Sequence, residues 1–141
     1  MKRLFFLGLL VWHVAQVQAQ DAEPLDKGYI LKSIFFGGGS NYIDEYQLSE
    51  LYNLLDSIPN VETYSITVHS HTDNIGGKEY NEWLSQKRSE MVIWKLVEKG
   101  IFLEMTSQKY FGQLNPVYDN DTYMGRQGNR RVDIILWPPA L

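Results

Sequence analysis

From Thr63 to His69 the chain alternates Tyr64, Ile66 and Val68 with Thr63, Ser65 and Thr67, and a short polar loop then leads into a longer segment, Lys78 to Lys99, that stops at Gly100. The first pattern has the period of a strand with one face on a core and one more polar. The second has the length of a helix and ends on a residue that commonly terminates helices. A strand and a helix that must each bury one side leave few architectures open, chiefly a sheet with helices packed on it.

The flanking segments extend this pattern. Tyr29 to Phe36 is rich in aromatic and β-branched residues and halts at Gly37-Gly38-Gly39-Ser40, as a buried strand running into a tight loop does. Leu48, Leu51, Tyr52, Leu55 and Ile58 fall on one helical stripe that ends before Pro59, and Asp44 and Glu45 stand in its first turn, where the helix dipole favours anions. Thr106 to Phe111 and Arg130 to Trp137 read as two more strands, joined by the polar, Asn- and Asp-rich loop Gly112 to Asn129. The order βαβαββ predicts an α/β (α+β) fold, a mixed four-stranded sheet with two main helices packed on one face.

The 141 residues suffice for one domain with one core. Met1-Lys2-Arg3, the apolar run Leu4 to Val14 and the ending Val17-Gln18-Ala19 have the layout of a secretory signal peptide cut after Ala19. An apolar run of about a dozen residues is short of the ~20 needed to span a bilayer, so no transmembrane segment is expected in the mature chain. Residues 20–28 read as a loose N-terminal segment and 29–138 as the domain. Losing Lys2 and Arg3 lowers the basic count from 13 to 11 against 17 acidic residues, a formal charge of −6. That balance argues against nucleic acid or an anionic membrane as the main partner. The chain has no cysteine, so an exported domain must rest on its apolar core without disulfides, and no thiol is available for a lipid anchor.

Within the second predicted helix, Leu84, Arg88 and Met91 sit at i, i+4 and i+7, which places Arg88 in the stripe that faces the protein. A guanidinium there needs a partner, because leaving it buried and unpaired costs several kcal/mol. Asn81 falls on nearly the same side, and Asp73 sits in the loop entering the helix, where free backbone N–H groups point outward. A carboxylate, a guanidinium, an amide and a helix N-terminus thus converge on one small space, a combination that suits a zwitterion.

The ordered series His71-Thr72-Asp73, Gly76, Asn81, Leu84-Ser85, Arg88, Gly100-Ile101, Tyr110-Phe111-Gly112, Pro116, Asn120, Gly125-Arg126 and Asn129-Arg130-Arg131-Val132 resembles the OmpA-like peptidoglycan-binding domain. That domain is found at the C-terminus of outer-membrane protein A and in peptidoglycan-associated lipoproteins and flagellar stator proteins. The resemblance implies noncovalent binding of the peptide stem of peptidoglycan at meso-diaminopimelate. It puts Asp73, of the Thr72-Asp73 motif, where the family holds the diaminopimelate ammonium, and Arg88 where it holds the carboxylate. Asn81 matches the family's helix asparagine, and Arg130 the first arginine of its Asn-Arg-Arg motif. Charge-assisted hydrogen bonds to each end of an amino acid are worth ~1.5–3 kcal/mol apiece when shielded from water. Gly37-Gly38-Gly39-Ser40 stands where relatives often carry polar side chains, so a contact there falls to backbone groups or Ser40. Ser70 occupies a position that is usually glycine. The implied setting is the periplasm or outer membrane, the implied partners are the stem peptide and an outer-membrane or envelope protein, and no cofactor is expected.

Other readings of the same residues stay open. Asp73 can serve as a helix cap or turn former, and Arg88 can pair internally with Asp73 and simply hold the loop. Arg126, Arg130 and Arg131 can pair with Asp119, Asp121 or Asp133, and Trp83, Trp94 and Trp137 fit packing better than a sugar platform. His69-Ser70-His71-Thr72-Asp73 has the His-x-His-x-Asp form of a metal-dependent hydrolase, with three side chains on one side of an extended segment. It lacks further ligands: the only other histidine is His13, within the leader. No phosphate loop or nucleophile elbow is present, so an enzyme is not expected. A scaffold with the same fold and no ligand is the second reading, since fold does not fix function.

Overall fold

The first strand, β1 (Ile30–Phe35), pairs antiparallel with the last, β4 (Arg131–Trp137), in the computed structural model, which describes residues 28–140. The leader expected over 1–19 and all but the last residue of the segment 20–28 lie outside the described residues. Between these strands run α1 (Glu45–Ser57), β2 (Ser65–His71), α2 (Lys78–Glu98), β3 (Thr106–Gly112) and α3 (Tyr123–Asn129). The sheet has the order β1-β4-β2-β3, with β2 antiparallel to β4 and parallel to β3. The mixed four-stranded sheet of the sequence reading is therefore present, and the parallel pair is the one joined by the long helix α2.

Strand alternation sets the two faces. Ile34, Ile66, Val68, Val132, Ile134 and Leu136 are buried in one cluster with Leu51 and Leu55 of α1 and Val92 and Leu96 of α2, so both long helices cover the same face. Asp44 is the N-cap of α1 rather than a member of its first turn, and its carboxylate accepts the Gln47 N–H at 2.9 Å.

The Asn- and Asp-rich segment Gly112 to Asn129, expected as a loop, contains α3. Thr122 caps this helix by accepting the Gly125 N–H at 2.9 Å. Asn129, fully buried, closes it: its side-chain oxygen accepts the Val117 and Tyr118 N–H groups, and its amide donates to the Tyr118 carbonyl and Asn120. One side chain thus ties the preceding loop to the start of β4.

The opposite sheet face carries His69, His71, Thr67, Asp133 and Arg131. The His71 ring stacks on Phe111 with centroids 4.9 Å apart, and its Nε2 lies 4.0 Å from Asp133, which is itself bound by Arg131 at 3.0 Å. Burial, with Arg131 adding to it and Asp133 opposing, pulls the His71 imidazole down to about 4. Its folded value lies below the ordinary ~6.5, so the native state binds fewer protons and stability is lost as pH falls through that window. The domain is expected to lose about 1–2 kcal/mol between pH 7.5 and pH 5, with partial solvent screening allowed for. Urea titrations at both pH values should show this, and His71→Phe, which keeps a ring on Phe111, should remove most of the difference.

Candidate functional site

β2 ends, β4 begins and the glycine turn after β1 closes at the same end of the sheet. The turn is held by the Ser40 N–H donating to the Gly37 carbonyl at 3.3 Å, with Gly39 in a left-handed conformation at φ +67°. Against it lies the face of α2 that carries Asn81, Leu84 and Arg88, all three buried. These pieces enclose a cavity of about 410 Å³ lined also by Thr72, Asp73, Tyr80, Tyr123, Arg126 and Arg130.

Arg88 is wholly buried, and it meets backbone rather than a carboxylate. Its Nε donates to the Ser40 carbonyl at 2.8 Å, Nη1 to the His71 carbonyl at 3.1 Å and Nη2 to the Gly37 carbonyl at 3.0 Å. The guanidinium also lies over the Phe36 ring, 4.9 Å from its centroid. These bonds use three of the five N–H donors of an arginine and fasten the glycine turn to the end of β2.

Asp73 takes a different arginine. Its carboxylate accepts from Arg130 Nη1 at 3.0 Å and from the Ile75 N–H at 3.1 Å, and the pair is nearly buried. The internal Asp73–Arg88 pair considered from the sequence is therefore not formed: Arg130, arriving from the end of α3, has the carboxylate, while Arg88 is satisfied by carbonyls. Arg130 is further fixed by its Nε donating to the Phe36 carbonyl at 3.0 Å.

The charges around the cavity do not cancel. Arg88, Arg126 and Arg130 face it against Asp73 alone, and Arg126 donates to the Asn120 carbonyl at 2.8 Å rather than to an acid. Burial above all pulls the Arg88 guanidinium down to about 10, with Asp73 and Tyr80 opposing and Arg130 reinforcing. It stays a cation at neutral pH. A buried cation whose partners are neutral dipoles attracts an anion into the space beside it.

The remaining expected residues divide. Asn81 lines the cavity, with its amide donating to the Ile75 carbonyl at 3.0 Å and to Gln113 at 2.8 Å. Thr72 lines it too, its hydroxyl donating to the Asp73 carbonyl at 2.9 Å. Ser40 is not among the lining residues. Its hydroxyl accepts the Tyr42 N–H at 3.0 Å and its carbonyl serves Arg88, so it acts through the backbone to hold the arginine. Tyr80, Tyr123 and Arg126 line the cavity without having been singled out as site residues. Tyr80 adjoins Asn81 in sequence, whereas Tyr123 and Arg126 come from the unpredicted helix.

The His-x-His-x-Asp reading fails on geometry. His69 and His71 project from the sheet face opposite the helices, with His71 against Phe111 and Asp133, while Asp73 has left the strand for the cavity. Among the described residues no group of three or more His, Cys, Asp or Glu side chains is placed to hold a metal ion.

Comparison with known proteins agrees with this architecture. The sequence model of the OmpA family matches residues 35–130. The chain belongs to the OmpA family. This OmpA-family chain is 30% identical over 132 residues to the outer-membrane lipoprotein YfiB of Pseudomonas aeruginosa, which spans 92% of the chain and 79% of YfiB. It is 31% identical over 105 residues to the peptidoglycan-binding protein ArfA of Mycobacterium tuberculosis, covering 73% of the chain but only 32% of ArfA. Its fold matches the crystal structure of the peptidoglycan-associated lipoprotein from Burkholderia pseudomallei with a TM-score of 0.64 at 27% identity, over 74% of this chain and 89% of that one. Among the described residues of the OmpA-family domain, no helix is long and apolar enough to cross a membrane.

Proposed function

We propose that the domain binds the peptide stem of peptidoglycan noncovalently, through the zwitterionic end of a diaminopimelate-type residue, and so tethers itself or an envelope partner to the cell wall. The observation that carries this reading is the buried Arg88, held by three neutral carbonyls beside an open cavity. Its two remaining N–H groups suit a carboxylate. An ammonium a few ångströms away finds Asp73, whose two oxygens each accept one hydrogen bond within the protein and keep lone pairs to spare. Asn81, pinned by its amide, offers its side-chain oxygen to the same space. The role is binding rather than catalysis. The names of the peptidoglycan-binding protein ArfA and of the peptidoglycan-associated lipoprotein of Burkholderia support it, and the leader-like first residues, which we read as export to the periplasm, agree with the name of YfiB as an outer-membrane lipoprotein.

The test is cosedimentation with purified peptidoglycan. Asp73→Asn keeps the shape of the side chain and an acceptor for the Ile75 N–H but removes the charge and turns an amide NH2 toward Arg130 Nη1. Wall affinity should therefore fall tenfold or more and the melting temperature should fall as well, the comparison being made at a temperature where circular dichroism shows the variant folded. Full retention by this variant would overturn the site assignment. A wild-type domain that stays in the supernatant would overturn the function and leave the fold as a protein-interaction scaffold.

A further inference from the structure

We propose that a second cleft, opening off the cavity, is a subsite for a sugar ring of the same polymer, of the N-acetylhexosamine class. This rests on the peptidoglycan reading above. The cleft has a volume of about 700 Å³ and is walled by Phe35, Phe36, Tyr118, Tyr123, Met124 and Gln127. It is not separate from the cavity that holds Asp73 and Arg88, because Gly38, Tyr123 and Arg130 line both. A stem peptide seated in the first space is covalently joined to a glycan strand, and the second space lies beside it.

The chemistry of the walls separates the two. The cavity gathers charge, whereas the only charged residue of the cleft is Arg130, whose Nη1 is taken by Asp73 and whose Nε is taken by the Phe36 carbonyl. What the cleft offers is aromatic rings, a thioether and one carboxamide. Such a surface suits a neutral ring with C–H faces to stack on tyrosine and hydroxyl or acetamido groups to hydrogen-bond. Gln127 donates to the Tyr123 hydroxyl at 3.0 Å, which fixes the carboxamide and leaves its oxygen to accept. Tyr123 and Met124 are 64% and 73% exposed, so packing within the domain does not account for them.

Gly38 supplies an independent argument. Its neighbour Gly39 needs to be glycine, with φ +67°, but Gly38 has no such conformation, and a Cβ added there would meet nothing within 4 Å. Neither the backbone nor the packing calls for a glycine. A side chain at this position would stand between cavity and cleft, and its absence keeps them one trough.

The experiment is calorimetric titration with two purified ligands, the free stem tripeptide and the same tripeptide carried on its disaccharide. The wild-type domain should bind the disaccharide form about tenfold more tightly. Met124→Ala/Gln127→Ala changes two α3 side chains that line only the cleft, and should bind the free peptide as the wild type does while losing the tenfold gain. Equal wild-type affinity for the two ligands, or a double variant that keeps the full gain with unchanged circular dichroism, would overturn the subsite alone. A wild-type domain that fails to bind the free peptide would overturn the peptidoglycan reading and the subsite together.

Discussion

Replacing Arg88 with alanine is expected to destabilise the domain by about 3–5 kcal/mol as well as to abolish wall binding. The side chain is completely buried, and its removal leaves the carbonyls of Gly37, Ser40 and His71 without their donors and opens a void under Phe36. Each buried acceptor left unsatisfied costs about 1–3 kcal/mol, with the void adding to the total. Urea denaturation reads this directly, and a loss below about 1 kcal/mol would show that the carbonyl cage is dispensable. Arg88→Lys sharpens the result. Lysine restores the charge, but a single ammonium cannot reach three carbonyls set around a planar fork, so it should recover less than half of the lost stability. A purely electrostatic role would instead be rescued by lysine almost in full.

The second large effect is expected at a glycine of α3. Gly125→Ala places a methyl group where the Asp119 carbonyl oxygen lies 1.8 Å from the new carbon, a clash with backbone that no rotamer relieves. The helix must move or the loop before it must open. Either response breaks the Thr122 cap and strains the four hydrogen bonds of Asn129, so a loss of about 3 kcal/mol is expected. Because Arg130 follows Asn129 directly, the ion pair with Asp73 should loosen as well, and peptidoglycan affinity should fall with stability. A thermal melt superimposable on that of the wild type would contradict this account of α3.

The sheet was legible because strand alternation is a local property. Ile66 and Val68 announce one face of β2 whatever surrounds them, and the stripe of α2 announces that Arg88 points inward. Partner choice was not legible in the same way. Arg88 bonds carbonyls, which every residue possesses, so nothing in the side-chain sequence marks Gly37, Ser40 and His71 as its acceptors. Asp73 was read against the nearest buried arginine, but the one it binds lies 57 positions away and is delivered by a helix that the sequence hides. Gly125 and Gly128 look like helix breakers, yet both sit where a side chain would strike Asp119 or Tyr118. The length of the supposed loop was itself a sign that an element was missing. His69, His71 and Asp73 share parity in the sequence, and the two histidines do share a sheet face, but β2 ends at His71 and Asp73 turns away into the cavity.

The pairing of the first and last strands bears on how the domain would carry tension. Ile30 lies opposite Leu136 and Phe35 opposite Arg131, so the chain enters and leaves at one end of the sheet while the cavity sits at the other. A wall polymer gripped at the cavity and a partner attached beyond either chain end would therefore pull along the strands. Force in that direction shears the β1–β4 ladder, loading its hydrogen bonds together instead of unzipping them one at a time.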